Sequence, residues 1–164
     1  MLQLIEFFRD SFPDGLEELA AFIISMLPIS ELRGGLIFSA LVDIPFWKAF
    51  LLCYIGNILP VPLILLFIRK IFSWLERFKL TAKIVHKLEE KARKAGAKLG
   101  RYDALGLFLF VAIPLPATGG WTGALISVIF DFQIKRAFPA IALGILTAGG
   151  IMSVLTYLIP GLFF

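Results

Sequence analysis

FIISMLPISELRGGLIFSALVDIPFWKAFLLCYIG, residues 22–56, has an ungapped counterpart 88 residues further on, FVAIPLPATGGWTGALISVIFDFQIKRAFPAIALG, residues 110–144. Nine of the 35 aligned positions are identical, against roughly three expected by chance for so apolar a composition. The identical pairs include Pro28/Pro116, Gly35/Gly123, Ser39/Ser127, Asp43/Asp131 and Gly56/Gly144, and Lys48 is matched conservatively by Arg136. Internal repeats joined by a polar linker are typical of secondary transporters, whose substrate site lies where the repeats meet.

Apolar residues make up 59% of the 164-residue chain. A soluble domain of this length cannot hide so much apolar surface, and the apolar blocks are long enough to lie in hydrocarbon. We therefore expect a multi-pass protein of the cell membrane. Residues 1–15 lack the basic start and cleavage site of a signal peptide, and they predict an amphipathic helix on the bilayer surface.

The charged residues are distributed unevenly along the chain. Residues 69–103 hold eleven of the sixteen Lys and Arg residues but only four acids, whereas residues 1–31 hold six acids and one base. Basic segments beside membrane spans stay in the cytoplasm, so residues 69–103 predict a cytoplasmic linker, an amphipathic helix or helical hairpin ending near Gly96 and Gly100. Attraction to anionic lipid headgroups explains its charge more simply than nucleic-acid binding does.

Each repeat begins with two short apolar runs separated by helix-breaking residues. In the first repeat these segments are residues 16–27, 28–35 and 36–42, and in the second they are residues 104–113, 114–120 and 121–130. Each run spans about 15–20 Å, roughly half of the ~30 Å hydrocarbon core, which predicts a hairpin that turns back inside the bilayer. Residues 46–68 and 134–159 are each long enough to cross, and Pro60 and Pro62 predict a kink in the first crossing.

The sequence thus predicts an all-α membrane protein with a single membrane domain, residues 1–164. Repeat 1 (16–68) and repeat 2 (104–164) are each a re-entrant hairpin followed by a transmembrane helix, in inverted orientation on either side of the linker. In the alternative architecture, residues 16–43 and 104–131 are full broken spans. That alternative gives four crossings and parallel repeats.

Glu31 and Arg33 are the foremost candidates for a functional site. The first hairpin turn places both near the bilayer centre, where an ionisable residue is costly unless it is paired or hydrated. Arg33 is a candidate ligand for an anionic headgroup, and Glu31 for a proton that drives transport. A purely structural Glu–Arg pair that pins the turn is the alternative.

The second hairpin turn offers a different kind of anion site. Thr118, Gly119 and Gly120 are candidate substrate ligands, because exposed backbone N–H groups at a glycine turn or helix start bind anions. Close packing of the glycines is the alternative. Arg136, just inside the second span, is a further candidate for capturing phosphate at the cytoplasmic edge of a cavity.

The remaining polar residues near the spans predict structural roles. Asp43 and Asp131 are expected to cap helices at the water interface, together with Lys48. Asn57 lies inside a span, where its side chain is costly unless hydrogen-bonded, so we expect it to brace the first hairpin.

Several classes of chemistry are not predicted. One cysteine, Cys53, and one histidine, His86, provide neither a catalytic triad nor a metal cluster, and no phosphate-binding loop is present for ATP. We therefore expect a protein that is not an enzyme and that uses no metal or cofactor.

Leu27–Ile37 (LPISELRGGLI) and Ile113–Ile126 (IPLPATGGWTGALI) resemble the family of small multidrug export proteins, and the resemblance covers most of the chain. That family is similar to the DedA superfamily. The resemblance implies two opposed re-entrant hairpins, inverted repeats and proton-coupled return of polyprenyl phosphate lipids. It also implies that Glu31 matches the acidic residue of the first hairpin motif. DedA proteins carry essential arginine in and after the second hairpin, whereas residues 114–123 hold none.

Three functional hypotheses follow. The main one is a small proton-coupled transporter that alternately exposes a midplane site and moves an amphipathic anion such as a polyprenyl phosphate lipid. The second is a proton-coupled exporter of cationic drugs with Glu31 as the cation site. The third is a membrane scaffold whose basic linker recruits a partner. A chain this small can hardly enclose a lipid path alone, so we also expect a homodimer.

Overall fold

The computed structural model describes residues 16–75, 77, 79–96, 103–115 and 118–158, which are mostly helical and contain no strand. The surface helix predicted for residues 1–15 lies outside these residues, as does Gly100. The helices are α1 (Leu16–Met26), α2 (Glu31–Leu41), α3 (Phe46–Ile58), α4 (Pro60–Leu75), α5 (Lys79–Gly96), α6 (Asp103–Ala112), α7 (Gly120–Ile129) and α8 (Ile134–Ser153), with a π-helical segment at Val154–Leu158.

Both predicted long spans are confirmed as helices. Phe46–Ile68 and Ile134–Leu158 contain 23 and 25 residues and are long and apolar enough to cross a membrane. The first is interrupted at Leu59, between α3 and α4. Pro60 and Pro62 have no N–H for the carbonyls of Gly56 and Ile58, so the hydrogen-bond ladder breaks there. Leu59 itself keeps helical dihedrals, with φ −55° and ψ −44°.

The basic linker is a helical hairpin, one of the two forms predicted. Within residues 69–103, α4 continues past residue 68 to Leu75, and α5 follows a turn at Arg77. The described part of α5 reaches Gly96, one of the two glycines predicted to end it. On its surface Lys94 Nζ lies 2.6 Å from Glu90 Oε1, and this lysine lowers the pKa of the Glu90 carboxyl.

The short paired arms of each repeat are also confirmed. Helices α1 and α2 have eleven residues each, and α6 and α7 have ten each, which corresponds to about 15–17 Å per arm. The first break was predicted too long: Glu31–Gly35 lie in α2, and the chain leaves the helix only over residues 27–30. Entry of the arms into the bilayer and the inverted orientation of the repeats stay predictions.

The contacts divide the chain into two compact units, which do not coincide with the two repeats. In the described residues, unit 1 holds residues 16–59 and 145–158, and unit 2 holds residues 60–144. In unit 1, helices α1, α2 and α3 pack on one another and α2 contacts the π-helical segment. In unit 2, α7 packs on α4, α5 and α6. Each unit therefore pairs one hairpin with the second part of the other repeat's long helix.

The duplicated sequence adopts duplicated local structure. The residues that follow the C-caps of α2 and α7, Asp43 and Asp131, have left-handed backbone with φ of 59° and 58°. In both repeats the next residue donates its N–H to a serine carbonyl inside the helix, from Ile44 to Ser39 at 2.9 Å and from Phe132 to Ser127 at 2.8 Å. These bonds have the Schellman pattern, so both aspartates terminate helices.

Glycines let the helices of each hairpin approach closely. A Cβ atom at Gly35 would lie 2.7 Å from Cys53 Sγ, and one at Gly123 would lie 2.6 Å from Val111 Cγ2 and 3.6 Å from Ile141 Cγ1. Cys53 and Ile141 occupy equivalent repeat positions. This packing explains why Gly35, expected in the break, lies within a helix.

Candidate functional site

Glu31 is a buried acid in an unfavourable backbone conformation. It is the first residue of α2, is 6% exposed and has φ of 50°. Left-handed backbone costs a residue with a side chain about 1–2 kcal/mol. The equivalent residue of the second repeat is Gly119, whose φ is 136°. Both repeats thus need a positive φ at this position, and repeat 1 places a carboxylate where glycine is the favoured residue.

Hydroxyl groups at equivalent positions brace the two hairpin turns. Ser30 Oγ donates to the Ile24 carbonyl at 2.5 Å, and Thr118 Oγ1 lies 2.8 Å from the Ile113 carbonyl. Thr118 Oγ1 also accepts the Leu115 N–H at 3.2 Å. Because the Thr118 hydroxyl is engaged within its own turn, any anion ligand from this turn must come mainly from the backbone.

Arg33 shares the first turns of α2 with Glu31. Its guanidinium is partly buried and loses hydration, and the negative charge of Glu31 offsets part of that loss. Among the residues whose side chains are described, Glu31 is the charged residue classed as buried. The two residues predicted as a pair thus interact through their opposite charges.

Asn57 is a buried amide in α3. Its side chain is 2% exposed, and Oδ1 has no hydrogen-bond donor among the described residues. The prediction that this amide braces the first hairpin stays a prediction. A buried unpaired acceptor is uncommon in folded proteins and calls for an explanation.

The glycine turn begins α7. Gly119 is its N-cap without a side-chain hydrogen bond, and both Gly119 and Gly120 are buried. The first N–H groups of a helix have no acceptor inside the helix and carry a partial positive charge. This helix start has the right polarity for an anion.

Arg136 lies at the other end of α7. It borders a cavity of about 220 Å³ lined by Ala104, Leu107, Phe130, Asp131, Phe132, Gln133, Arg136 and Ala137. The ten residues of α7 separate this end from Gly119 and Gly120 by about 15 Å. Arg136 and the glycine turn are therefore separate positive features of unit 2.

The Asp43 end of unit 1 has features typical of a membrane interface. Lys48 forms an ion pair with Glu18, and Trp47 is 75% exposed. Tyr157, which the sequence analysis did not single out, donates its hydroxyl to the Ile44 carbonyl at 3.3 Å and contacts Phe46 edge-on. Aromatic residues at the end of a span are typical of the interfacial belt. The position of Tyr157 near the end of the second long helix was therefore the signal that could have identified it.

No group of three or more metal-ligating side chains occurs within the part of the chain that the structure describes. A model of the family described as "Putative small multi-drug export protein" matches residues 31–151, well over half of the chain. No curated protein and no solved structure matches the chain. The chain therefore belongs to this family, which is a family of export proteins rather than of enzymes. The matched segment includes Glu31, Arg33, Asn57 and Arg136.

Proposed function

We propose that this member of the small multi-drug export family is a proton-coupled transporter of an amphipathic anion, such as a polyprenyl phosphate lipid. Glu31 is the proton site and Arg33 is the anion ligand. The observation that carries the proposal is Glu31 itself, a buried carboxylate with φ of 50° where the other repeat has glycine. Strained and costly groups of this kind cluster at functional sites.

Charge balance at Glu31 and Arg33 supports coupling between proton and anion. An ionised Glu31 and Arg33 together carry no net charge, which is the favourable state in a low-dielectric environment. When Glu31 takes up a proton, Arg33 loses its neutralising partner and can bind a phosphate with charge-assisted hydrogen bonds. Uptake of a proton and of a singly charged anion therefore restores neutrality, so each favours the other.

The Arg136 cavity supports the same substrate class. Its arginine is exposed beside Gln133 at the mouth of a polar cavity, where a phosphate headgroup can be captured from water. In this proposal Arg136 makes the first contact with the headgroup, and the partly buried Arg33 makes the later one.

The family description favours a second candidate, proton-coupled export of cationic drugs with Glu31 as the cation site. In that case drug and proton compete for one carboxylate. The charge balance argues against it, because a cation added to Glu31 and Arg33 leaves a net positive charge in the apolar interior.

Transport by the purified protein in liposomes tests both candidates. The probes are a fluorescent polyprenyl phosphate and the cationic dye ethidium, each with an imposed pH gradient. We expect pH-dependent transport of the phosphate, loss of its dependence on the gradient in Glu31→Gln, and loss of transport in Arg33→Gln. Arg77→Gln, in the exposed linker turn, is the control. Unchanged phosphate transport in both site variants contradicts the proposal, and transport of ethidium alone favours the second candidate.

A further inference from the structure

Asn57 is a buried polar residue that the proposed mechanism does not use. It lies at the middle of the helix Phe46–Ile68 and is 2% exposed, and Oδ1 has no donor among the described residues. An amide oxygen in such surroundings is stable only when it has a partner in some state of the protein. The question is which group donates a hydrogen bond to Asn57 Oδ1.

Helices α2 and α3 place Glu31 opposite Asn57. Only residues 42–45 join these two helices, which pack against each other and therefore run antiparallel. On each of these helices, three buried residues recur at intervals of four. Residues four apart lie on the same face of a helix, so each set forms a buried stripe. The stripes are Glu31, Gly35 and Ser39 on α2, and Ala49, Cys53 and Asn57 on α3.

Contacts near the middle of the stripes set their register. Ser39 Oγ lies 3.8 Å from Cys53 Sγ, and a Cβ atom on Gly35 would lie 2.7 Å from the same sulfur. One turn back along α2 leads from Gly35 to Glu31, and one turn forward along α3 leads from Cys53 to Asn57. In antiparallel helices these two steps go in the same direction, so Glu31 and Asn57 occupy the same level.

We propose that Asn57 Oδ1 is the hydrogen-bond acceptor for the protonated carboxyl of Glu31. The inference rests on the proposed function, in which Glu31 takes up a proton. A hydronium ion transfers that proton to one carboxylate oxygen and leaves as water, and the new O–H then donates to Asn57. An ionised Glu31 has no proton to give, which accounts for the unpaired oxygen of Asn57.

The other ionisable groups near Glu31 do not supply this partner. On α1 these are Glu17 and Glu18. Glu18 forms an ion pair with Lys48, which lies one to two helical turns from Cys53 in the direction away from Asn57. Cys53 and Tyr54 on α3 and Tyr157 on the π-helical segment are neutral at neutral pH, and Asp43 follows α2 at its opposite end. Arg33 is the charged group that acts with Glu31, and a guanidinium favours the ionised carboxylate.

Infrared titration of the full-length protein in nanodiscs tests the proposal without a substrate. The carbonyl band of a protonated carboxylic acid is followed against pH in the wild type, Glu31→Gln, Asn57→Leu and Asn57→Asp. Loss of the acceptor disfavours the protonated form, so we expect Asn57→Leu to lower the titration midpoint by about half to one pH unit. Its carbonyl band should also move to higher wavenumber. Asn57→Asp should raise the midpoint, because two carboxyls then share a proton.

The outcomes separate this inference from the proposed function. If Glu31→Gln removes no titrating band, Glu31 does not take up a proton and the proposed function fails. If the band is present but Asn57→Leu leaves its midpoint and wavenumber unchanged, Asn57 is paired with water and this inference alone fails. A higher midpoint in Asn57→Leu also overturns it, because the amide would then donate to the ionised carboxylate. If Asn57→Leu does not fold, the titration midpoint of Asn57→Asp tests the inference instead.

Discussion

At the scale of single residues, the positive φ of Glu31 links the stability of the protein to the role proposed for this carboxylate. A carboxylate at this position adds backbone strain to the cost of burial, whereas glycine at the equivalent position of repeat 2 avoids both. Proteins retain such costs where the side chain is needed for activity. Glu31 should therefore be a position at which stability and transport oppose each other.

Replacing Glu31 by glycine and by alanine measures the strain directly. In ordinary right-handed helix alanine is more stable than glycine by about 1 kcal/mol. With φ of 50° we expect the reverse order, with Glu31→Gly more stable than Glu31→Ala by about 1 kcal/mol. Thermal unfolding in detergent at fixed pH gives the comparison, and neither variant should show proton-coupled transport. If alanine is the more stable residue at this position, Glu31 is not in left-handed backbone.

The sequence analysis selected Glu31 and Arg33 as site candidates because ionisable residues stand out in an apolar run. The strain at Glu31 was not predicted, since glutamate itself has no preference for positive φ. The aligned Gly119 was the available signal. The unpaired oxygen of Asn57 was not predictable either, because it depends on which side chains surround the amide after packing.

At the scale of helices, close contact at glycines determines how each hairpin packs. The sequence analysis treated Gly35 as a helix breaker, and it was wrong because tertiary packing outweighed the low helix propensity of glycine. Most other helix starts and ends among the described residues were predicted to within a few residues, since prolines, glycines and charged residues mark them. The end of α4 is an exception, because this helix continues past residue 68 to Leu75. Contacts with residues distant in sequence decide whether a glycine ends a helix or lies inside one at a close helix–helix contact.

Alanine substitutions distinguish packing glycines from exposed ones. A Cβ atom would lie 2.7 Å from Cys53 Sγ at Gly35 and 2.6 Å from Val111 Cγ2 at Gly123, whereas nothing lies within 4 Å at Gly150. We expect Gly35→Ala and Gly123→Ala to lower the free energy of unfolding by about 1–3 kcal/mol each. Gly150→Ala should raise it by up to about 1 kcal/mol through helix propensity. Equal effects at all three positions, measured by chemical unfolding, would show that these contacts do not govern stability.

The break at Leu59 makes a separate prediction. Pro60→Ala supplies an N–H to the Gly56 carbonyl, and because Leu59 already has helical dihedrals the ladder can close without rearrangement. We expect one additional hydrogen bond and a gain of about 1 kcal/mol in the free energy of unfolding. Slower amide hydrogen exchange over residues 56–64 should accompany it. Pro45→Ala is the control, since Pro45 precedes α3 as its N-cap. No change in exchange at Pro60→Ala would mean that the carbonyl already has another donor.

At the scale of the whole molecule, the repeat predicted which elements exist but not how they group. Each compact unit joins one hairpin to the second part of the other repeat's long helix. In unit 1, for example, a Cβ atom on Gly149 would lie 2.9 Å from Phe50 and 3.3 Å from Leu32. Contacts between residues a hundred positions apart leave no periodic signal in the sequence, so the grouping was beyond pattern-based prediction.

Cysteine labelling distinguishes re-entrant hairpins from four full crossings. Cys53, the single cysteine, is replaced by alanine, and cysteines are introduced one at a time at the exposed residues Trp47, His86 and Lys135. A membrane-impermeant maleimide is applied to intact cells and to inverted vesicles. With hairpins, Lys135→Cys should react from the cytoplasmic side, as His86→Cys does, because the chain returns to the side from which it entered.

Trp47→Cys is the internal control, since both architectures place it outside, opposite the basic linker. Four full crossings instead place residue 135 outside, so Lys135→Cys would react together with Trp47→Cys. That result would make the repeats parallel and remove the inverted architecture. Reaction of Lys135→Cys from the side of His86→Cys would establish that residues 104–131 enter and leave the bilayer on one side. Arg136 would then face the cytoplasm, as its proposed role as first contact for a phosphate headgroup requires.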